Sequence, residues 1–500
     1  MSWNLEFDVV VVGAGTAGCM VARQIAMRTG ARIAVIEAGP TFPAWALSAP
    51  LASLRVRPYW SWKNVSDPIP SLNHRTVSFP MGRVVGGTSS VNAMIAAAGP
   101  AEDYEGFAPD DAARSLFVPS MRRQWLEEQG IVVEPPRYKS EFTGAFLAAC
   151  QGQGLQRVEA LDGSTSETCG SFELFQHHAR RWSSAQLLRE QGLPSRITVI
   201  PRTSVRRLMV KADRVAGLEV GRPAGAIQTI RSRFGVVLAA GAIHSPCILQ
   251  RSGVGAKEVL DSAGIPVINE LPGVGRNLQD HLGVPWVVSS SVKAPGRPSQ
   301  WIPAAIRYAM HRSGVMVSNC CEAGCFLGSK DRSPEVEVFT HFQTSKQSQS
   351  VEFSTILLHP KSRGEVRISP ETPWGAPRIE PNYLDSPEDM RRLIHGVQRT
   401  VEIANSSELL RFGLSTSQVS EIDEHWVRNH ASTYYHPGGT CRMGTDELAV
   451  VALDFQVHGI QGLWVADNSV VPVLPGGHTA MTAMWIGALA GRRISNNINA

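Results

Sequence analysis

Residues 7–18 read FDVVVVGAGTAG, a run of apolar residues that leads directly into a glycine-rich turn. The run from Asp8 to Val12 predicts a strand that is buried on both faces. Helical spacing follows from Cys19 to Met27, and a second apolar run from Ala31 to Ile36 predicts the next strand. This order of strand, turn, helix and strand indicates one βαβ unit of a parallel sheet.

The turn matches the GxGxxG pattern of dinucleotide-binding folds. In that pattern Gly13 permits the tight turn, Gly15 lets the backbone approach a pyrophosphate, and Gly18 allows the helix to pack closely on the strand. The N–H groups at the start of the helix favour the anionic pyrophosphate. Glu37 ends the second strand about 20 residues further on, where a carboxylate accepts hydrogen bonds from a ribose. A structural turn alone explains only the glycines, so the sequence predicts a site for NAD or FAD.

Other strand patterns lie far along the chain. Residues 235–241 and 463–467 are apolar runs that end in small or polar residues, and we expect them to join the first strand in one sheet. Residues 198–220 and 352–382 contain short alternating segments separated by turn residues, which suits an antiparallel sheet. Helical patterns are predicted at residues 121–129 and 386–405, the latter with Ser386 as N-cap and Pro387 at the first helical position.

Composition points to a globular protein that acts on small molecules. The 500 residues carry 48 Lys and Arg against 44 Asp and Glu, without long runs of one sign, so we expect no nucleic-acid partner. No run of about 18 apolar residues predicts an integral membrane segment. Because the first strand pattern begins at Phe7, we expect no secretion signal and a cytoplasmic location. Nothing in the sequence indicates the oligomeric state.

The cysteines and several histidines predict no metal site. Eight cysteines are too few for a disulfide scaffold, and the group Cys320, Cys321 and Cys325 lacks the CxxC spacing of a metal site. His177 and His178 are adjacent, so their side chains are expected to point in different directions rather than form a joint site. For His244 and His281 we expect structural hydrogen bonds.

Six further segments resemble the glucose-methanol-choline (GMC) oxidoreductase family. They are GRVVGGTSSVN at 82–92, GAIHSPCILQRSGVG at 241–255, PGVGRNLQDH at 272–281, PKSRG at 360–364, HPGGTCRMG at 436–444 and the tail 463–480. The resemblance implies an α/β fold with a Rossmann-like FAD-binding domain and a second, α+β substrate domain built on an antiparallel sheet. The FAD-binding domain would comprise residues 1–98, 171–285 and 436–500, and the substrate-binding domain residues 99–170 and 286–435.

The resemblance also implies that the dinucleotide is FAD. The residues that would contact it are Gly13, Gly15, Thr16, Ala17, Gly18, Glu37, Ala38, Arg83, Gly86, Gly87, Ser90, Asn92, Ala93, Val205, Ala240, Gly241, Asp467, Asn468, His478 and Thr479. Some members of the family attach flavin through a histidine in the flavin loop. Residues 84–94 contain no histidine, so we expect noncovalent FAD.

The family places a catalytic pair at the positions of His436 and His478, and its members carry either histidine or asparagine at the second position. His436 would take the hydroxyl proton of an alcohol, since imidazole has an ordinary pKa of about 6.5 and is largely neutral near pH 7. His478 would orient the substrate oxygen. The sequence departs from the family after residue 96, where an acidic and aromatic stretch ending at Phe107 moves quickly to Pro119 and predicts a shortened lid.

The predicted reaction is oxidation of a small alcohol to a carbonyl, with O2 or another electron acceptor reoxidising the flavin. A hydroxynitrile-lyase-like enzyme without net redox is the alternative, because some relatives retain FAD for structure only. A flavin-binding subunit without turnover would not need the histidine pair. A nicotinamide enzyme would leave all the segments after GxGxxG unexplained.

Overall fold

The structure is a computed structural model that describes residues 4–41, 49–51, 57–106, 119–190, 193, 195–221, 226–291, 301–330, 332–344, 349–416, 419 and 421–499. Residues 107–118, on which the shortened lid was predicted, lie outside the described part of the chain. Among the helices of the described part, none combines the length and the apolar character that crossing a membrane would require.

A seven-stranded sheet carries the glycine-rich turn. With strands numbered in chain order, it contains β1 (Asn4–Val12), β2 (Ile33–Ile36), β9 (Ile197–Ile200), β10 (Ser204–Lys211), β11 (Arg214–Gly221), β12 (Gln228–Leu238) and β23 (Leu463–Val465). Strand β12 pairs in parallel with β1 along most of its length and with β23 at its end, so the three distant strands share one sheet as predicted. On the edge away from β1, the start of β12 pairs with β11 in antiparallel register.

A second seven-stranded sheet forms the opposite part of the molecule. It contains β5 (Gln156–Leu161), β6 (Thr168–Phe172), β16 (Leu282–Ser289), β17 (Ala323–Leu327), β18 (Val336–Thr344), β19 (Gln349–Leu357) and β22 (Ser432–Thr433). Its strand order is β22, β16, β19, β18, β17, β6 and β5. Neighbours are antiparallel except for β5 and β6. The predicted α/β fold class with a second, antiparallel sheet is confirmed.

Four small strand groups complete the described sheets. They are β3 (Asn64–Val65) with β4 (Ser78–Phe79), β7 (Gln176–His177) with β8 (Arg180–Arg181), β13 (Val254–Gly255) with β14 (Asn269–Glu270), and β15 (Arg276–Leu278) with β20 (Gly364–Arg367) and β21 (Arg378–Glu380). The alternating residues 198–220 and 352–382 are therefore divided among three sheets. Residues 198–200 belong to β9, which runs parallel to β2 rather than antiparallel as predicted.

The α-helices of the described part cover both sheets. They are α1 (Thr16–Arg28), α2 (Pro119–Glu128), α3 (Glu141–Gly152), α4 (Gly241–Arg251), α5 (Lys257–Ser262), α6 (Trp301–His311), α7 (Pro387–Ala404), α8 (Ser407–Leu410), α9 (Glu424–His430) and α10 (Ala480–Asn499). Ser386 and Pro387 begin α7 as predicted. Helix α1 packs against α10 beside β1, and α7 packs against β19. One cluster of buried side chains surrounds each large sheet.

Candidate active site

A cavity of about 1340 Å³ lies where the two large sheets meet. One wall is formed by the ends of β1, β2 and β12, and the facing wall by side chains of β18 and β19. Typical sites for small ligands measure about 300–1,000 Å³. This cavity is larger, so it has room for a dinucleotide together with a small substrate.

The glycine-rich turn opens onto the cavity at the end of β1. Gly13 has a φ of +103°, and a Cβ there would lie 2.3 Å from the carbonyl oxygen of Ala239. A Cβ on Gly18 would lie 2.0 Å from the carbonyl oxygen of Gly13, so only glycine allows α1 to start this close to the turn. At Gly15 the nearest atom to a Cβ is 4.0 Å away, which leaves space for a ligand beside its backbone.

Glu37 closes this end of the cavity at the tip of β2. Its carboxylate accepts the N–H of Ala14 at 3.0 Å and the N–H of Gly39 at 2.7 Å. Burial raises the pKa of Glu37 to about 7, although the two N–H groups act in the opposite direction. Each oxygen keeps acceptor capacity beyond its one N–H partner, so the carboxylate can also accept a ribose hydroxyl.

The loop that follows Arg83 runs beside the turn and is held by hydroxyl and guanidinium contacts. Ser90 is 1% exposed, and its Oγ lies 2.8 Å from Oγ of Ser183, turned away from the cavity. The Oδ1 atom of Asn92 accepts Nη1–H of Arg181 at 2.7 Å. Burial lowers the pKa of Arg181 to about 9. Arg181, which the sequence did not single out, therefore places a buried cationic group beneath this loop.

Most of the predicted site residues line the cavity. Those that do are Gly13, Gly15, Thr16, Ala17, Glu37, Ala38, Arg83, Gly87, Asn92, Ala93, Val205, Ala240, Gly241, His436, Asp467, Asn468, His478 and Thr479. The other three, Gly18, Gly86 and Ser90, do not line the cavity and lie behind the residues that do. Their contacts are with the neighbouring backbone and with serine hydroxyls.

The C-terminal segment returns to the cavity through Asp467 and Asn468. The Oδ2 atom of Asp467 accepts the N–H of Gly241 at 2.8 Å and the hydroxyl of Ser245 at 2.6 Å, which fixes the start of α4. Asn468 Nδ2 donates to the carbonyl of Thr479 at 3.2 Å.

Four buried polar atoms of residues that line the cavity have no hydrogen-bond partner among the described residues. They are Oδ1 of Asn468, Oδ1 of Asn319, the hydroxyl of Tyr434 and Nε of Arg83. Buried polar atoms in folded proteins are nearly always paired, so two acceptors, a hydroxyl and a donor around one cavity indicate a polar ligand. A dinucleotide with hydroxyl, carbonyl and phosphate groups fits this set.

His436 and His478 meet in the same cavity although they are 42 positions apart in the sequence. Their ring centroids lie 5.1 Å apart at an angle of 80°. The backbone N–H of His478 donates to the carbonyl of Ala97 at 2.7 Å, and its Nε2 lies 2.9 Å from Oε1 of Glu337. The side chain of Glu337 on β18 is only 1% exposed. A buried carboxylate therefore holds the second histidine.

His436 is positioned by the segment before β16. Its N–H donates to Oδ1 of Asp280 at 2.7 Å, and Tyr383 and Thr433 donate to Oδ2 of the same carboxylate. Burial raises the pKa of Asp280 to about 6 despite these donors. Nδ1 of His281 lies 2.9 Å from Nδ1 of His436. The hydrogen bond expected for His281 thus involves the predicted base itself.

Burial also lowers the pKa of His281 to about 3, with a smaller effect from His359 and His478. His281 is therefore neutral in the folded protein. One of the two facing Nδ1 atoms must carry the proton that joins the rings, and the other must accept it. This pairing fixes the orientation of the His436 ring.

The facing wall consists of alternate residues of β18 and β19 that the sequence did not single out. Phe339 and His341 follow Glu337 at spacing two, and Glu352 and Ser354 line the cavity from β19. His341 lies directly opposite Glu352, and burial lowers its pKa while Glu352 opposes that effect. Alternate residues of a strand share one face, so Glu337 lies on the same face of β18 as Phe339 and His341. A charged residue in such an alternating segment is a sequence signal that could have identified Glu337.

The expectations for the remaining histidines have different outcomes. Nε2 of His244 lies 3.4 Å from Nδ2 of Asn64, as expected for a structural hydrogen bond. The ring lines the cavity beside Trp62, and burial lowers the pKa of His244 to about 3. His177 and His178, predicted to point in different directions, have ring centroids only 3.9 Å apart, so that prediction is wrong. The alternation rule applies to a continuing strand, whereas these residues enter a turn.

Comparison with known proteins identifies the family. The sequence models described as GMC oxidoreductase match residues 7–283 and 360–487. The chain is 31% identical to the oxygen-dependent choline dehydrogenase of Pseudomonas savastanoi pv. phaseolicola over 96% of this chain and 91% of that protein. It is 28% identical to an alcohol dehydrogenase [acceptor] of Pseudomonas putida over 99% of this chain and 96% of that protein.

Solved structures show the same fold at lower identity. Pyridoxine 4-oxidase from Mesorbium loti superposes with a TM-score of 0.82 at 24% identity, over 97% of this chain and 98% of that one. Formate oxidase of Aspergillus oryzae RIB40 gives a TM-score of 0.88 at 21% identity over 100% of both chains. Because the family models cover both ends of the chain and full-length relatives align throughout, the chain belongs to the GMC oxidoreductase family.

Proposed function

We propose that this protein oxidises the hydroxyl group of a small alcohol to a carbonyl with FAD as cofactor. The observation that carries the proposal is the meeting of His436 and His478 in the wall of the cavity that the glycine-rich turn enters. Two imidazoles at this distance can act on one hydroxyl group. The names of the alcohol and choline dehydrogenases that align with the chain support the same reaction class.

FAD would be held noncovalently. Gly15 and the start of α1 would face the pyrophosphate, Glu37 a ribose hydroxyl, and Asn468 and Arg83 the polar groups nearer the histidines. FAD, when bound, supplies the acceptor for the hydride of the alcohol carbon. Residues 84–94 contain no histidine that could form a link to the flavin, which supports the noncovalent assignment.

His436 would receive the hydroxyl proton. Its Nδ1 faces Nδ1 of His281, so Nε2 is the ring nitrogen for proton transfer. This role requires that His436 carry its own proton on Nδ1 and donate it to the neutral His281, because only then is Nε2 a lone-pair acceptor. The hydrogen bond that the backbone N–H of His436 donates to Asp280 holds this residue in place during the transfer.

His478 would orient the substrate oxygen, with Glu337 as its positioning residue. The Glu337 carboxylate accepts a hydrogen bond only from a protonated Nε2. To orient the substrate oxygen, Nδ1 of His478 must carry a proton as well, because the hydroxyl proton goes to His436 and only an N–H can donate to the oxygen. This role therefore requires a doubly protonated His478 whose charge the carboxylate of Glu337 would balance.

An anaerobic screen tests this function. Purified protein is mixed with a panel of small alcohols that includes choline and benzylic alcohols, and the flavin absorbance is followed. We expect bleaching with at least one alcohol and recovery on addition of O2 or an artificial dye, which also identifies the acceptor class. Cleavage of a hydroxynitrile without any bleaching across the panel would contradict the proposal.

A further inference from the structure

A second group of ligating side chains lies at the hairpin of β7 and β8, outside the residues that line the cavity. Glu134, His177 and His178 each present one oxygen or nitrogen atom, and the three atoms lie within 4.8 Å of one another. We propose that these three residues form a binding site for a divalent transition-metal ion such as Zn²⁺. The site is separate from the alcohol chemistry and does not depend on it.

The geometry of the group is close to that of a metal site. Zinc bonds to nitrogen and oxygen of about 2.1 Å in a tetrahedron place two ligand atoms about 3.4 Å apart. Nδ1 of His177 lies 3.4 Å from Oε1 of Glu134. All three ligand atoms lie within 4.8 Å of one another, so no separation has to shorten by more than roughly 1.4 Å. The side chain of His177 is 55% exposed, so it can rotate into place without displacing packed neighbours.

The backbone of the turn brings the two imidazoles together. His178 and Ala179 have φ values of 49° and 59°, so both central residues of this two-residue turn are left-handed. Asn and Gly usually occupy such turns, and a histidine followed by alanine is unusual. Two contacts fix the turn: His178 N–H donates to Oε1 of Glu134 at 3.0 Å, and the Tyr308 hydroxyl donates to the carbonyl of Ala179 at 3.2 Å.

The chemistry of the ligands selects the ion. Two imidazoles and one carboxylate suit Zn²⁺, Ni²⁺ or Cu²⁺, whereas Mg²⁺ and Ca²⁺ require oxygen ligands. Arg137 Nε donates at 3.0 Å to Oε2 of Glu134, so the guanidinium engages one oxygen while Oε1 faces the histidines. Three protein ligands leave a coordination position for water.

The hairpin connects this site to the FAD loop. Arg181 on β8 donates to Oδ1 of Asn92 at 2.7 Å and to the carbonyl of Ser89 at 3.1 Å. An ion that clamps the turn before β8 would therefore reduce the motion of the strand that supports this loop. Since an ion that binds the folded state stabilises it, occupancy should raise the thermal midpoint of the holoprotein.

Calorimetric titration of the FAD-loaded protein with Zn²⁺, and separately with Mg²⁺, tests the proposal. We expect one Zn²⁺ site, no heat from Mg²⁺, and a higher thermal midpoint with Zn²⁺. Even replacing a residue that only hydrogen-bonds to a metal ligand typically lowers the metal affinity 10–100-fold. Removing a ligand itself, in His177→Ala or His178→Gly, should therefore lower the Zn²⁺ affinity at least about tenfold. Glycine accepts the left-handed φ at position 178, so this variant removes the ligand without backbone strain.

His395→Ala, which removes an exposed imidazole of α7, is the matched control and should bind Zn²⁺ like the parent. The FAD absorbance of each variant verifies that it is folded. Failure of the parent to bind Zn²⁺ would overturn the proposal. Equal affinity in the parent, His177→Ala and His178→Gly would overturn it as well, because the ion would then lie elsewhere.

Discussion

At the scale of single residues, the candidate site consists of two imidazoles that are each held by one specific partner. His436 faces His281, and His478 faces Glu337. The partners differ in charge, since the first is a neutral imidazole and the second a buried acid. The two histidines therefore respond differently to substitution.

His436→Ala should leave FAD bound and slow flavin reduction by about 10²–10⁴-fold, the range for loss of a general base. The measurement is anaerobic stopped-flow reduction with an alcohol found in the screen, since slow reoxidation would otherwise be mistaken for slow chemistry. His425→Ala, an exposed histidine of α9, is the control and should reduce at the parent rate. Parent-like reduction by His436→Ala would exclude it as the base.

His478→Asn should slow reduction less than His436→Ala, because an amide can still donate a hydrogen bond to the substrate oxygen. It should also lower the thermal midpoint, since it leaves the Glu337 carboxylate buried without its imidazole, which is strongly destabilising for buried pairs. The double variant Glu337→Gln/His478→Asn removes the uncompensated charge and should recover most of that midpoint. If the double variant were less stable than His478→Asn, Glu337 would not be the partner that His478 needs.

Glu37 predicts a pH dependence of stability in the apoprotein. Its pKa is raised from 4.5 to about 7 in the folded state, so its contribution is present below pH 4.5 and lost as the pH rises through about 7. A shift of this size corresponds to about 3 kcal/mol. Glu37→Gln cannot titrate, so the stability of the parent relative to this variant should fall between pH 5 and pH 8. Thermal midpoints at both pH values measure the difference, and a constant difference would contradict the raised pKa.

At the scale of elements, helix α10 fixes the position of α1 and therefore of the glycine-rich turn. A Cβ on Gly487 would lie 2.5 Å from the carbonyl oxygen of Ala17 and 2.9 Å from Cβ of Met20. The two helices thus contact each other through backbone at the first turn of α1. The C-terminal helix is in this way part of the dinucleotide site.

Gly487→Ala should lower the free energy of unfolding by about 1–3 kcal/mol, the usual cost of overpacking, and weaken FAD binding by displacing α1. Chemical denaturation and FAD titration of the apoprotein measure the two effects. Gly144→Ala in α3 is the matched control, since a Cβ there meets no atom within 4 Å. It should be neutral or stabilising by roughly 0.5–1 kcal/mol. Similar losses in both variants would show that the α1 contact is not the cause.

The elements that the sequence predicts well are those decided by local pattern. Strand β1, the turn and helix α1 follow from neighbouring residues, and α7 begins at Ser386 and Pro387 as predicted. Strand β9 was expected to be antiparallel, but it is parallel to β2. An alternating pattern predicts a strand without identifying its partner, and β2 lies more than 160 residues earlier in the chain. Glu337 was missed for a related reason. Its role arises only when β18 lies beside the C-terminal segment that carries His478.

At the scale of the whole molecule, two predicted domain boundaries lie inside strands. The boundary between residues 170 and 171 divides β6, and the boundary between residues 285 and 286 divides β16, although both strands belong to the second sheet. Motifs such as PGVGRNLQDH mark a family segment, but they do not indicate where the chain leaves one sheet for the other. The assignment of the remaining residues to two domains stays a prediction.

The cavity wall combines residues from the start, the middle and the end of the chain, such as Gly15, Gly241 and Asn468. FAD that binds there contacts segments of both chain ends at once, so it should stabilise the molecule as a single unit. A ligand at 100 times its dissociation constant stabilises the folded state by about 2.7 kcal/mol. We therefore expect the thermal midpoint of the apoprotein to rise with FAD concentration in one cooperative transition.

Far-UV circular dichroism and tryptophan fluorescence, recorded together during heating, measure this transition. We expect both signals to shift equally with added FAD, and the proposed noncovalent binding predicts that the flavin appears in the supernatant once the protein has precipitated. Riboflavin is the matched control, since it lacks the pyrophosphate and adenosine that the glycine-rich turn and Glu37 would contact. If FAD shifted only one of the two signals, the segments around the cavity would be unfolding separately, and flavin retained in the pellet would contradict noncovalent binding.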